Sequence, residues 1–271
     1  MVRGKFPDVL KLAQVTPVFK KDDDKCMSNY RPIAVLPIFS KVFEKVLCVR
    51  LMDFFTKNNI ISPLQYGFQR SVSTTHAIQM LTNEIYKSLN KREHNLSIFI
   101  DICKAFDTVN HSILIRKLQY YGVRGVAADY MRSYLSNRKQ CVKVGSNVSR
   151  SVDVNSGIPQ GSVAGPILFL IYINDLPNVS KKLSCILFAD DTTFSASSPC
   201  HNELMSTVSV ELDNVKRWTF VNRLSLNMSK TYYLLFSNRR RAVGDSLKLC
   251  LNGAEIERES EIKLSIYEYL R

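Results

Sequence analysis

Ser184-Cys185-Ile186-Leu187-Phe188-Ala189-Asp190-Asp191-Thr192-Thr193-Phe194-Ser195 is the stretch on which the fold turns. An apolar run ends on two adjacent carboxylates, and β-branched and aromatic residues resume at once: strand, tight turn, strand. A second apolar run, Leu96-Ser97-Ile98-Phe99-Ile100-Asp101-Ile102, also delivers an acid, Asp101, at a buried strand end. Each signal alone is ordinary, since Asp-Asp is a frequent turn former and an Asp before a helix is a frequent cap. Their conjunction says more. Carboxylates half-buried at the ends of apolar strands need compensation, and three that converge repel one another until a divalent cation resolves the repulsion. Hard oxygen ligands with phosphate as co-ligand point to magnesium. Two such ions about 3.5–4 Å apart can activate an attacking hydroxyl and stabilise a leaving pyrophosphate in line. The pattern predicts nucleotidyl transfer without naming the template.

On either side of these acids, strands and helices mix. Residues 12–19 read as a strand, broken by the charged turn Lys20 to Lys25. Residues 40–57 set Val42, Phe43, Val46, Leu47, Leu51, Phe54 and Phe55 at helical spacing. Residues 73–90 form a second helix with Ser73, Thr74 and Thr75 as candidate caps. After Asp101 a helix carries Phe106, Val109, Ile113, Leu114 and Leu118 on one face, with Gly122 set to stop it. Residues 139–154 resemble a hairpin turning at Gly145-Ser146-Asn147. The loop 156–162 leads into an apolar helix over about 163–176, with Pro166 near its first turn. Beyond the acidic hairpin, Leu204, Val208, Leu212, Val215, Trp218, Val221 and Leu224 mark a long amphipathic helix. Residues 230–236 make a strand, and 247–257 a hairpin whose Asn252-Gly253 suits a type I′ turn. A mixed α/β or α+β fold follows.

Composition fits a polyanionic partner. The chain has 271 residues, 45% of them hydrophobic, which is ample for a packed core. Lys and Arg number 37 against 24 Asp and Glu, a net charge of +13, and basic side chains that neutralise phosphates release condensed counterions. The 7 cysteines show no C-x-x-C spacing, which argues against a disulfide framework or a zinc site and for a reducing compartment. The start, Met1 to Pro7, has no apolar signal core, and the longest apolar run, Pro166 to Ile173, is far short of the roughly 20 residues that cross a bilayer. A soluble, intracellular protein is expected. The 4 histidines form no H-E-x-x-H pattern, so a metalloprotease lacks support.

Phe188-Ala189-Asp190-Asp191 resembles the catalytic hairpin of reverse transcriptases, and other segments then fall into that family's order. Phe99 to Asp107 looks like the first catalytic motif. Ser156-Gly157-Ile158-Pro159-Gln160-Gly161-Ser162, with Gly165-Pro166 and Tyr172-Ile173-Asn174-Asp175-Leu176, is similar to the second, and Leu226-Asn227-Met228-Ser229-Lys230-Thr231 to the fourth. Upstream, Val15 to Lys20, Asn29-Tyr30-Arg31-Pro32-Ile33 and Gln65-Tyr66-Gly67-Phe68 look like fingers-region motifs of non-LTR (LINE-type) retrotransposons.

The resemblance implies an α+β right-hand polymerase fold, with an antiparallel palm sheet packed on helices. Residues 1–95 would be the fingers region and 96–271 the palm region, with fingers elements returning at about 120–155, together one reverse transcriptase domain. It also implies an RNA-directed DNA polymerase of a mobile element, taking an RNA template, a DNA primer and deoxynucleoside triphosphates. Asp101 and Asp190 would bind two magnesium ions, with manganese as a substitute, Asp191 would support the site from the turn, and the carbonyl of Ile102 would complete one coordination sphere. Lys20 and Arg31 would grip the incoming triphosphate, surface charges being the ordinary alternative. Phe106 would act as a steric gate against a 2′-hydroxyl, a core aromatic being the alternative. Gln160 and Gly161 would touch the nascent base pair. Lys230 is a candidate proton donor to pyrophosphate, or a simple strand lysine. Template and hybrid would be held through backbone and shape, because a copying enzyme must accept every sequence. In the family a primer-gripping hairpin and a helical thumb follow Asn252-Gly253. Here Glu261-Ile262-Lys263 begins that passage and Leu264 to Arg271 departs from it. On that reading the thumb is largely missing, no endonuclease domain is present, and a truncated or decayed copy with impaired processivity is expected. The rival is a non-catalytic RNA-binding remnant with the polymerase shape.

Overall fold

The computed structural model describes residues 4–21, 23–69, 72–238 and 248–260. Asp22, inside the expected charged turn, and the expected primer-grip passage from Glu261 onward lie outside them. In chain order the strands and helices are β1 (Leu12–Phe19), β2 (Tyr30–Val35), α1 (Ile38–Lys57), α2 (Thr74–Asn90), β3 (His94–Ile100), α3 (His111–Tyr120), α4 (Gly125–Leu135), β4 (Arg138–Val144), β5 (Asn147–Val148) and β6 (Val152–Val154). They continue as α5 (Gly165–Ile173), β7 (Ser184–Phe188), β8 (Asp191–Ser198), α6 (His201–Val221), β9 (Tyr232–Phe236), β10 (Cys250–Leu251), β11 (Ala254–Glu255) and β12 (Glu257–Arg258).

The chain divides into two compact units: Met1–Ile61 with Phe106–Tyr172, and Ser62–Ala105 with Ile173–Arg271. This division differs from the boundary expected at 95/96. Residues 62–95 belong with the second unit, because α2 packs on its sheet and the backbone of Leu64 and Tyr66 bonds to Leu187. Residues 106–119 and 156–172, expected with the palm, fall in the first.

In the first unit the sheet order is β2-β1-β4-β5, with β6 on the flank of β4. Pro32 breaks the sequence signal of β2, yet β2 is an edge strand, where a missing N–H is tolerated. Helix α1 corrects the sequence reading in detail. Its buried side runs through Ser40, Glu44, Leu47, Cys48, Leu51 and Phe55, while Val42, Val46 and Phe54, apolar at the same helical spacing, are exposed. Apolar residues cover more than one face of α1, so their spacing alone did not say which face turns inward. α4 buries Ala128, Tyr130, Met131, Tyr134 and Leu135.

In the second unit β12-β9-β3-β8-β7 form a sheet that is antiparallel except for the β12–β9 pair. Phe99, Ile186 and Leu234 pack with Ala77 and Leu81 of α2 on one face. By strand alternation Leu96, Ile98 and Phe194, each at most 1% exposed, point to the other face, and α6 packs on β3 and β8. β10 and β11 close on Asn252 and Gly253, both at positive φ, as the type I′ turn requires. Among the described residues no helix is long and apolar enough to cross a membrane.

Candidate active site

The second unit sets the two acidic strand ends on neighbouring strands of one sheet. β3 and β8 are antiparallel with Ile100 opposite Thr192, so the register carried one step further sets Asp101 opposite Asp191 on the face that bears Phe99. Phe188 pairs with Asp191, which leaves Ala189 and Asp190 as a two-residue hairpin loop. Tyr232 senses both strand-end acids. Its ring stacks on Phe99 at 5.5 Å, and its hydroxyl pKa is raised by burial first, then by Asp191 and Asp101, and last by Glu259.

Asp101 is held by the segment read as the fourth motif. Asn227 Nδ2 donates to Asp101 Oδ2 at 2.7 Å, and the Asn227 backbone N–H donates to the Asp101 carbonyl at 2.9 Å. Lys230 Nζ lies 3.8 Å from the same Oδ2. Lys230 ends the short 3-10 turn Met228–Lys230 ahead of β9, beside Asp101. Asn227 is a member of that motif to which the sequence assigns no role. Its signal was an amide three residues before a lysine, too common to single out. Ile102 bridges Leu226, flanked by the Asn227–Asp101 bond and by Cys103 N–H to the Ser225 carbonyl. That makes Ile102–Leu226 a non-hydrogen-bonded pair and turns the Ile102 carbonyl away from Leu226.

The hairpin loop is strained and supported. Ala189 has φ +56°, while Asp190 is not at positive φ, the pattern of a type II′ turn, whose first position favours glycine. Ala189 is 2% exposed and donates its N–H to Gln65 Oε1 at 3.1 Å; Gly67 N–H donates to the same oxygen at 2.7 Å. A Cβ on Gly67 would lie 2.3 Å from the Ala189 nitrogen. The Gln-Tyr-Gly-Phe segment, read as a fingers motif, thus buttresses the acidic turn.

The first unit gathers the residues matched to nucleotide binding. Val18 pairs with Arg31, and Lys20 N–H bonds the Asn29 carbonyl, so Lys20 and Arg31 are diagonal neighbours on one face of the β1–β2 ribbon. The loop of Gln160 and Gly161 lies against β2. Ala34 N–H donates to the Gln160 carbonyl at 2.7 Å, and Gly161, at φ +107°, would put a Cβ 2.8 Å from the Ala34 carbonyl. Only glycine meets both demands. Gln160 Nε2 donates to Asp107 Oδ1 at 3.0 Å, and Ile158 N–H to the Phe106 carbonyl at 2.8 Å. The Phe106 ring is half-buried and stacks on Phe169 at 4.9 Å.

Two groups hold that loop, the buried Glu44 and the half-buried His111. Glu44, 1% exposed, accepts through Oε2 from the N–H of Val163 (2.6 Å) and Ala164 (3.4 Å), and through Oε1 from Tyr134 (3.0 Å) and Ser40 (3.2 Å). Burial first, then Glu44, drives the Tyr134 hydroxyl pKa far up, keeping it a donor. Burial and Glu44 push the Cys48 thiol up to about 12. His111 Nε2 lies 2.7 Å from the Gly157 carbonyl, which can only accept, so Nε2 carries the hydrogen. Burial lowers the His111 pKa, against the raising effect of that bond. Glu44 was legible only as an acid among apolar neighbours on α1.

Among the described residues no group of three or more His, Cys, Asp or Glu side chains closes into a metal-binding cluster. The donors at the strand ends are nonetheless of the right kind. Asp101, with 23% side-chain exposure, and the half-exposed Asp190 and Asp191 offer carboxylate oxygens. Carboxylate and carbonyl oxygens are the donor type that a hard divalent cation takes.

Comparisons with known proteins give the family and the fold. The family model described as reverse transcriptase (RNA-dependent DNA polymerase) matches residues 18–264. A probable RNA-directed DNA polymerase from transposon BS of Drosophila melanogaster is 32% identical over 240 residues, 83% of this chain and 26% of that protein. The RNA-directed DNA polymerase from mobile element jockey of Drosophila funebris is 26% identical over 268 residues, 96% of this chain and 29% of that protein. The chain thus spans about a quarter of the length of these relatives. A telomerase from Candida tropicalis, solved with a TWJ fragment of telomeric RNA, has the same fold at a TM-score of 0.60 and 13% identity, covering 91% of this chain and 43% of the telomerase.

Proposed function

The chain belongs to the reverse transcriptase (RNA-dependent DNA polymerase) family, and we propose that it copies RNA into DNA for a mobile element, adding deoxynucleotides to a DNA primer. The observation that carries the reading is the register of β3 and β8, which pairs Ile100 with Thr192 and so directs Asp101 towards Asp191, beside the Ala189–Asp190 turn. Asp101, Asp190, Asp191 and the Ile102 carbonyl would hold the metal. Magnesium bound there, as two ions or with manganese in its place, would supply Lewis-acid stabilisation of the attacking and leaving oxygens.

The chain's own groups do the rest. Lys20 and Arg31 would neutralise triphosphate oxygens as charge develops on them. Phe106, its ring fixed by Phe169, would exclude a 2′-hydroxyl. Gln160, tied to Asp107, and Gly161 would meet the nascent base pair. Lys230, beside Asp101, would give a proton to the departing pyrophosphate. The charge of +13 supports backbone binding of template and primer. The mobile-element relatives, named RNA-directed DNA polymerases, favour an RNA template.

Single-nucleotide incorporation on a primed RNA template tests the reading. Asp190→Asn is expected to cost several kcal/mol of transition-state stabilisation, a rate loss of about 10³-fold or more, with template–primer affinity within about twofold. A purified chain that binds primed RNA but incorporates nothing would instead be a binding remnant.

A further inference from the structure

The Asp190 turn depends on a neutral group from elsewhere in the chain. We propose that Gln65 is a positioning residue for Asp190, an inference that rests on the reading of the Asp residues as metal ligands. The residue ahead of Asp190, Ala189, holds a left-handed backbone that an alanine adopts only when its surroundings impose it. Gln65 imposes it. The carboxamide is 2% exposed, and its oxygen accepts from Gly67 N–H and Ala189 N–H at once. Because both partners are donors, the oxygen must face them, which fixes the orientation of the amide. Its nitrogen is buried with no hydrogen-bond partner in the structure. The side chain is therefore kept for its oxygen, at the cost of an orphaned donor.

The backbone around Gln65 makes the clamp rigid. Leu187 N–H bonds the Leu64 carbonyl at 2.8 Å, and Tyr66 N–H bonds the Leu187 carbonyl at 2.7 Å, so the segment runs parallel to β7. Gln69 Nε2 adds a bond to the Gln65 carbonyl. Gly67 closes the other side, with no room for a Cβ against the Ala189 nitrogen. The acidic turn is gripped on its backbone while the Asp190 side chain stays half-exposed.

Manganese binding to the full chain, followed by the free-ion signal in electron paramagnetic resonance, reads the clamp without requiring turnover. Asp190→Asn, Gln65→Met (acceptor removed) and Gln65→Glu (acceptor kept) are compared with the unsubstituted chain, each checked for folding by circular dichroism. Asp190→Asn and Gln65→Met are expected to weaken binding about tenfold, and Gln65→Glu to stay within about threefold. A folded Gln65→Met chain that binds as the parent does, or a Gln65→Glu chain that weakens as far as Asp190→Asn, overturns the clamp. If Gln65→Met does not fold, Gln65→Glu decides on the same thresholds. Unchanged binding in Asp190→Asn overturns the ligand reading itself, and the clamp with it.

Discussion

In the first unit a buried carboxylate, Glu44, accepts from the backbone N–H groups of Val163 and Ala164; in the second a buried carboxamide, Gln65, accepts from those of Gly67 and Ala189. Both fix a loop by gripping its backbone from a segment distant in sequence. They differ in charge, and the surroundings say why. Val163 and Ala164 lead directly into α5, and amide groups at a helix start favour an anion. Tyr134 and Ser40 satisfy the other oxygen, and Arg138, also buried, stacks its guanidinium over the Tyr134 ring at 4.8 Å. The Gln65 oxygen instead serves a turn that already carries Asp190 and Asp191. A further anion there would be repelled, so a neutral acceptor suits the place.

Exchanging or deleting those charges breaks the comparison most sharply. Glu44→Leu leaves up to four buried donors without an acceptor at about 1–3 kcal/mol each, so a loss of roughly 4 kcal/mol or more is expected. Thermal unfolding should register it as a fall of about 10 °C. Glu44→Gln keeps an acceptor but loses the charge, with a smaller loss of about 1–2 kcal/mol. A Glu44→Leu chain as stable as its parent would remove the carboxylate from the account of the loop.

Gln65→Glu should be less damaging, at about 1–3 kcal/mol near neutral pH, because it buries a carboxylate beside two others. The sign of its pH dependence is the informative part. The new acid's folded pKa would lie above its unfolded value of about 4.3. The penalty is then full above the folded pKa and fades as pH falls through it, so denaturant midpoints of parent and variant should converge on acidification. A gap that widens instead would contradict the assignment of a neutral acceptor site.

The smallest effect concerns His111, which steadies the same loop as Glu44 through Gly157. Its folded pKa is lowered, chiefly by burial. Its contribution is fully present above the unfolded value of about 6.5 and is lost as pH falls from there through the folded pKa. His111→Gln should flatten stability over that window. A curve unchanged by the substitution would mean that His111 is not linked to folding.

How legible all this was in the sequence depended on whether a feature is local. The acidic hairpin, β3, α2, α6 and the Asn252-Gly253 turn were readable because period, caps and turn residues sit next to one another. β2 was disguised by Pro32 until the sheet order made it an edge. α1 is legible as a helix but its inward face only in part: Leu47, Leu51 and Phe55 lie inside, whereas valines occupy the outer face and Ser40 and Glu44 share the inner one. The proposed site residues stand out as motif members; the groups that support them do not. Gln65 meets Ala189 across 124 positions and Glu44 meets Val163 across 119. A side chain that bonds to backbone leaves no residue-type signature at the far end.

The most direct test of the claim that Asp101 and Asp191 share one end of the sheet uses Tyr232 as reporter. Its hydroxyl titrates above the ordinary range, through burial and then through Asp191 and Asp101, and its pKa can be followed by NMR in a chain labelled with ¹³C-tyrosine. Asp191→Asn and Asp101→Asn should each lower the Tyr232 pKa, the former more, and magnesium should lower it in the parent but not in the double variant. A Tyr232 pKa that ignores both substitutions and the metal would mean that the two acids do not meet.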